Sequence, residues 1–326
     1  LVPLFVVSQL MLSIKLLRRN HYDVIHAHWI IPQGMVAVIA RLFAQNRPAV
    51  VVTSHGGDLF ALKGPVLAKL KRWVLQRADQ LTVVSSAMKS KAEESRLATG
   101  EEIEVIPMGV DSYNTFYPPE NSTPREGMLF LGRLVEKKGV EHLLNAMPLV
   151  LEKQPETTLT IIGDGPLNQR LQALCHDKDI SSKVRFLGSL SNQEIPAHLQ
   201  KSAIAIFPSI VTDDGDQEGT PVSIMEALAC ECAVVVSDYP GARDIIVHQV
   251  SGLLVPQKSP SDLAEQINSL LEQEQLRIHL GENGRRFVQE KYDWKVISNR
   301  FSALFSKLSN INQSSSPKLK SSYENQ

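Results

Sequence analysis

The chain has 326 residues, is 43% hydrophobic and 21% charged, and carries a formal net charge of −1. This is the composition of an ordinary globular protein, long enough for two domains, and its neutral balance argues against broad nucleic-acid binding. Its three cysteines, Cys175, Cys230 and Cys232, are an odd number without paired spacing. They give no disulfide or zinc framework and suit a reducing, cytoplasmic compartment, with Cys230 and Cys232 read as core residues.

Residues 1–14 are apolar except for Ser8, Gln9 and Ser13. A membrane span needs about 20 such residues, and the stretch lacks the basic start and small-residue cleavage site of a signal peptide. A buried helix leading into a strand is expected. Short β-branched runs then alternate with amphipathic ones, the pattern of βα units around a parallel sheet. Strands are expected at 24–29, 49–55, 80–85 and 102–107. Residues 59–78 carry Lys63, Lys69, Lys71, Arg72 and Arg77 and no acid, with Val66, Leu67, Leu70, Trp73 and Val74 on one helical face. Such a helix either lies on an anionic membrane surface or packs on a core with a solvated basic face.

The pattern breaks at 111–126, where Pro118, Pro119 and Pro124 mark a linker between a first domain (1–110) and a second (127–292). In the second domain strands are expected at 128–132, 158–163, 184–187, 204–208, 233–237 and 253–255. Helices are expected at 140–151, 168–178, 195–201, 221–229, 261–271 and 274–291. Asp293 suits the N-cap of a final helix (293–309), and the polar residues 310–326 suit a disordered tail. Six strands against four means that, if the two domains are alike, the first lacks its opening strands.

The densest chemistry lies in Asp214-Gly-Asp-Gln-Glu218-Gly-Thr-Pro-Val-Ser-Ile-Met-Glu226. Thr220 suits an N-cap and Pro221 the first helical position. Glu226 would then lie on the second turn and Glu218 just before the helix. The free N–H groups of a helix start suit a phosphate, and carboxylates suit sugar hydroxyls. Arg133 follows an expected strand end and Lys138 precedes a helix, which places both at the carboxyl ends of the strands, where open α/β sheets bind ligands.

Gly132-Arg133-Leu-Val-Glu-Lys-Lys138-Gly139, Gly163-Asp-Gly-Pro, Phe186-Leu-Gly188 and the Glu218–Glu226 segment follow one another in the order of the retaining glycosyltransferases of family 4, which the chain resembles. His26-Ala-His28-Trp, Ser54-His55-Gly-Gly-Asp58 and Ile106-Pro-Met-Gly-Val-Asp111 resemble the family's N-terminal half. The wording around Glu218 is similar to that of bacterial enzymes of exopolysaccharide and lipopolysaccharide biosynthesis. The resemblance implies an α/β GT-B fold, two Rossmann-like domains facing across a cleft. It implies transfer of a sugar, with retention, from a nucleotide-sugar donor to a glycan or lipid-linked acceptor, by a cytoplasmic protein that the membrane reading of 59–78 would set on the inner face of the cytoplasmic membrane. Family members open with a strand and glycine-rich loop, which does not occur here, so the first domain is expected to be truncated. The alternative is a nucleotide-sugar-binding protein of the same fold without transfer.

The resemblance also implies roles. Arg133 and Lys138 would meet the diphosphate, Glu226 the ribose and Glu218 the donor sugar. Gly219 and Thr220 would let the backbone approach the donor, and Ser223 would add a hydroxyl or simply begin a helix. His55 would face the sugar across the cleft, with Asp58 beside it or serving as an N-cap. His26 and His28 share one strand face and suit packing or the acceptor side. Asp214-Gly-Asp216 looks like an Asp-x-Asp metal motif but reads better as a polar turn. No metal or other cofactor is expected. A nicotinamide site would need Gly-x-Gly-x-x-Gly, of which Gly163-Asp-Gly165 has only the first part.

Overall fold

The computed structural model describes residues 2–60, 62, 64–98, 103–119 and 125–315. The chain forms two compact units. One gathers the residues up to Val84, Met88–Ile106 and the chain from Ser298 onward; the other holds Ser85–Ala87 and Pro107–Ile297.

In chain order the first part runs α1 (Val2–Arg19), β1 (Val24–His28), a kinked turn at Ile30–Gly34, α2 (Met35–Arg41), β2 (Ala49–Ser54), α3 (Gly57–Phe60), α4 (Pro65–Leu75), β3 (Gln80–Val83), α5 (Ser86–Glu94) and β4 (Ile103–Val105). The four strands make one parallel sheet in the order β1-β2-β3-β4. β2 reads Ala-Val-Val-Val-Thr-Ser and is buried throughout, as a parallel strand covered on both faces must be. Val50, Val52, Val74, Leu81, Val83 and Met88 form the centre of its core.

The second unit restarts with β5 (Glu126–Leu131) and α6 (Val140–Lys153), followed by β6 (Leu159–Ile162), α7 (Asn168–Asp177), β7 (Val184–Gly188), α8 (Ile195–Lys201) and β8 (Ser202–Phe207). Then come α9 (Val222–Ala229), β9 (Ala233–Ser237), α10 (Pro240–Arg243), β10 (Leu253–Val255), α11 (Pro260–Glu272), α12 (Glu274–Lys291) and α13 (Trp294–Ser315). Its sheet is six-stranded and parallel, in the order β10-β9-β8-β5-β6-β7. α6 buries Leu143, Leu144, Met147 and Val150, a stripe at helical spacing, against one face. On the other face, Ile224, Met225 and Leu228 of α9 share a core with Val234 and Val236 of β9.

All ten expected strands form, within two residues of their expected bounds. Several expectations need correction. The N-terminal segment is helical but not buried: it packs on α2, yet Leu4 and Met11 are 73% and 67% exposed. Among its described side chains only Leu17 is buried. α9 begins at Val222, one residue late. Pro221 is the cap residue with extended ψ, so Thr220 is not the N-cap. The expected basic face of 59–78 is also incomplete, since the buried Lys71 donates to the carbonyls of Asp58 and Leu62. The exposed cations of that stretch are Lys69, Arg72 and Arg77, while Lys63 lies outside the described residues.

Asp293 does cap α13. One carboxylate oxygen accepts from Lys295 N at 2.9 Å, and the other accepts from the Ser112 hydroxyl at 2.6 Å. The helix runs on to Ser315, past the expected start of the tail; residues 316–326 lie outside the described residues. Cys230 and Cys232 are buried core thiols, and burial raises the Cys232 pKa to about 11. Among the described residues no helix is long and apolar enough to cross a membrane.

Candidate functional site

The second sheet reverses direction at one point. From β5 the chain builds outward through β6 and β7, then returns to the other side of β5 with β8, β9 and β10. β5 and β8 are neighbours whose chains go on to helices on opposite faces of the sheet, which makes their carboxyl ends the switch point where open α/β sheets bind ligands. The loop after β5 carries Arg133, Lys137 and Lys138; the loop after β8 carries Asp214, Asp216 and Glu218.

Backbone contacts lock the two loops together. Ile210 N donates to the Lys137 carbonyl at 2.8 Å. Gly139 ends the short turn Glu136–Lys138 in the left-handed conformation, φ 63° and ψ 19°. A Cβ there would stand 1.9 Å from the Pro208 carbonyl oxygen, so only glycine lets the loops close this far. The far side of the second loop is held in the same way, since a Cβ on Gly241 would stand 2.1 Å from the carbonyl oxygen of Gly219.

The side chains meet on this framework. Lys138 Nζ donates to Glu218 Oε2 at 3.0 Å, and the two side chains are only 14% and 12% exposed. Lys137 Nζ donates to Asp216 Oδ1 at 3.2 Å and lies 3.9 Å from Glu218 Oε1. Asp214-Gly-Asp216 is a closed turn: Asp214 Oδ1 accepts from Asp216 N at 3.2 Å, and Thr212 exchanges backbone bonds with Gly215 and Asp216. Arg133 stands exposed in the β5 loop and makes no ion pair among the described residues.

Glu226 sits on the second turn of α9, half-buried. Burial pushes its carboxyl up to about 7, against a smaller opposing pull from Lys138. It is thus poised to change charge near neutrality. Ser223 is half-buried on the first turn of the same helix, and Thr220 is buried just before it. The first N–H groups of α9 lack intrahelical acceptors by helix geometry.

The first unit holds a second polar cluster. His28 and His55 follow one another at the carboxyl ends of β1 and β2, with His28 Nδ1 and His55 Nε2 2.8 Å apart. His26 turns its Nε2 to the Thr53 hydroxyl at 2.7 Å and packs on Phe301 and Phe305 of α13. Burial, with His28 and His55 nearby, lowers the His26 pKa to about 4. Burial and His28 lower that of His55, partly opposed by Asp58. Asp58 is fully buried and is not an N-cap: its carboxylate accepts from Ile30 N at 2.7 Å and from the Ser54 hydroxyl at 2.6 Å, joining the loop after β1 to the loop after β2.

The structure therefore joins Lys138 to Glu218 by direct contact and sets Glu226 within reach of the Lys138 charge. It gives two lysines roles that the sequence does not predict. Lys137 pairs with Asp216, for which the doublet Lys137-Lys138 was the only signal, and Lys71 braces the loop behind Asp58. Among the described residues no group of three or more histidine, cysteine or acidic side chains is arranged to hold a metal ion.

Two family profiles match. Glycosyl transferases group 1 covers residues 117–287, and Glycosyltransferase Family 4 covers residues 2–113. The chain is 27% identical over 278 residues to the GDP-mannose-dependent alpha-(1-6)-phosphatidylinositol monomannoside mannosyltransferase of Mycobacterium tuberculosis, covering 82% of this chain and 71% of that one. It is 36% identical over 137 residues to the amylovoran biosynthesis glycosyltransferase AmsK of Erwinia amylovora, covering 42% of this chain and 34% of the other. The crystal structure of Anabaena HepE in complex with UDP-glucose superimposes with a TM-score of 0.77 at 20% identity, over 93% of this chain and 82% of that one. With a group 1 match over more than half its length and this fold, the chain belongs to the group 1 glycosyltransferases and has the GT-B fold.

Proposed function

We propose that the protein transfers a sugar, with retention of configuration, from a nucleotide-sugar donor to a glycan or lipid-linked acceptor in the assembly of a cell-surface polysaccharide. The observation that carries this is the Lys138–Glu218 pair at the reversal point of the second sheet, with Glu226 on the adjoining helix. The relatives support the setting: one is named for amylovoran biosynthesis and one for a phosphatidylinositol mannoside acceptor.

Breaking the donor's glycosidic bond builds negative charge on the diphosphate and positive character on the sugar ring. Arg133, Lys138 and the start of α9 answer the first, and no bound metal is called for. Lys138 is held by Glu218 until a diphosphate competes for it, which frees Glu218 to orient the sugar and face its developing charge. Gly219 and Thr220 bring backbone to the donor, and Ser223 offers a hydroxyl to the phosphates. Glu226, once ionised, accepts from both ribose hydroxyls. His55 is assigned a hydrogen bond to the sugar. The leaving phosphate assists deprotonation of the acceptor on the same face of the ring, so Glu218 is not a nucleophile.

The test is transfer from a panel of UDP- and GDP-sugars, with the anomeric configuration of the product read by NMR and parallel reactions in EDTA. Transfer with retention, undiminished by EDTA, is expected. Inversion, or a chelator-sensitive rate, overturns the corresponding part. The exposed Lys69, Arg72 and Arg77 support a peripheral anionic-membrane contact, and flotation with anionic and neutral liposomes decides it.

A further inference from the structure

We propose that His28 is a positioning residue for His55: by bonding to Nε2, it fixes the ring's tautomer and leaves Nδ1 as the nitrogen offered to the donor sugar. This rests on the assignment of His55 to the sugar made above.

The geometry is built into the sheet. β1 and β2 are parallel, with His28 opposite Thr53, so the two chains leave the sheet side by side. The next backbone contact, Trp29 N to the Thr53 carbonyl at 2.7 Å, holds them together one residue further on. Asp58 then clamps both loops, taking Ile30 N from one and the Ser54 hydroxyl from the other, and its backbone is braced by buried Lys71. Within this frame the two imidazoles meet edge to edge, with centroids 5.1 Å apart and planes 24° apart, and their nitrogens approach to 2.8 Å.

A neutral imidazole has one N–H and one lone pair, and the bond made by one nitrogen decides what the other presents. His55 is half-buried, and its only hydrogen bond among the described residues is the one at Nε2. Its Nδ1 is therefore the nitrogen left for a ligand. The direction of the proton at His28 sets whether that nitrogen donates or accepts. His28 is exposed, so replacing it does not open a hole in the core. It reaches the reaction only through His55, which is what distinguishes positioning from direct contact.

The experiment combines kinetics with 15N NMR of the histidine side chains in the full chain. In the wild type, His55 should show one pyrrole-like and one pyridine-like nitrogen. In His28→Ala and His28→Phe these shifts should move toward the averaged values of a mixed tautomer. Turnover should fall roughly tenfold, as when a partner that orients an active group is lost, with KM for the donor nearly unchanged. His28→Gln, whose amide keeps a hydrogen bond, should recover part of both. The double variant His28→Ala/His55→Ala should be no slower than His55→Ala, because the effects of coupled residues do not add. Unchanged His55 shifts in His28→Ala, or a further loss in the double variant, overturns the proposal. Full turnover in His55→Ala with shifted His55 resonances in His28→Ala would instead sink the assignment of His55 to the sugar while leaving the coupling intact.

Discussion

Lys138 donates to Glu218 at 3.0 Å across 80 residues of sequence, and both side chains are largely withdrawn from water. Removing two charges from solvent costs free energy that their attraction only roughly offsets. A pair of this kind is thus better understood as fixing two charges in place than as a source of stability. The proposed division of labour follows: Lys138 answers the phosphates and Glu218 the sugar.

Glu218→Gln should therefore lower kcat on the order of 100-fold, the usual scale for loss of one group that faces charge developed in the transition state, and leave nucleotide affinity nearly intact. Glu226→Ala should do the reverse, weakening nucleotide binding roughly 10- to 100-fold through loss of charged hydrogen bonds to the ribose. Calorimetric titration of the nucleoside diphosphate against both variants, beside steady-state kinetics, checks this. An equal loss of affinity in both removes the distinction.

The raised pKa of Glu226 gives a signed pH dependence. Its carboxyl holds a proton up to about pH 7 in the folded chain, whereas the unfolded chain loses it near 4.5. The folded state thus binds more protons across that window, and stability falls as pH rises through it and is level above. The contribution is up to about 3 kcal/mol. Glu226→Gln should melt higher than wild type at pH 8, with a gap that closes toward pH 4.5. Nucleotide binding, which needs the ionised form, should strengthen as pH rises to about 7, by up to about tenfold per unit, and Glu226→Gln should abolish that slope. A flat affinity profile in the wild type would contradict the ribose assignment.

Gly139→Ala tests the locking of the two loops. The left-handed backbone alone costs about 1 kcal/mol for a residue with a Cβ, and the approach of the Pro208 carbonyl leaves no room for that carbon without moving backbone. A drop in melting temperature, with a fall in donor affinity from the shifted Lys138, is expected. An unchanged melt and unchanged affinity would mean that the loops close by other means.

Asp58→Ala should destabilise the protein by about 2–4 kcal/mol, since it strands the Ile30 N–H and the Ser54 hydroxyl in a buried site. Chemical denaturation measures this. Because Asp58 holds both loops that bear His28 and His55, the variant's histidine resonances should also broaden or shift.

The strands were legible because β-branched runs such as Ala49–Ser54 and Ala233–Ser237 leave little choice of structure. The helices from α6 to α13, α10 excepted, are legible from their own apolar periodicity. α10 is too short, at four residues, to carry a pattern, while α2 (Met-Val-Ala-Val-Ile-Ala-Arg) is apolar nearly all round and α5 is polar over most of its length, so neither shows a clear stripe. The apolar composition of α1 predicts burial, but composition does not say whether a neighbour covers a helix, and here α2 covers one side only. At the site, Glu218, Glu226 and Lys138 were visible by their motif. The Lys137–Asp216 pair and the joining role of Asp58 were not, because each depends on which loops the sheet order brings together. That the resemblance pointed to His55 but not to what lies against its Nε2 is the same lesson at the scale of one ring.

α13 starts within the second unit and finishes in the first, where Leu304 and Leu308 are buried and Phe301 and Phe305 lie against His26. The first unit is thus encoded in pieces on either side of the second. During synthesis it cannot complete its core until the ribosome has read through residues 298–315, long after its sheet has been made. A stop codon just before Ser298 would spare every residue of the Lys138 site and still leave the histidine cluster without its aromatic wall. Neither unit corresponds to a single uninterrupted stretch of gene, so separate production of the first requires two co-expressed pieces or a rearranged chain in which its last helix is joined to its first.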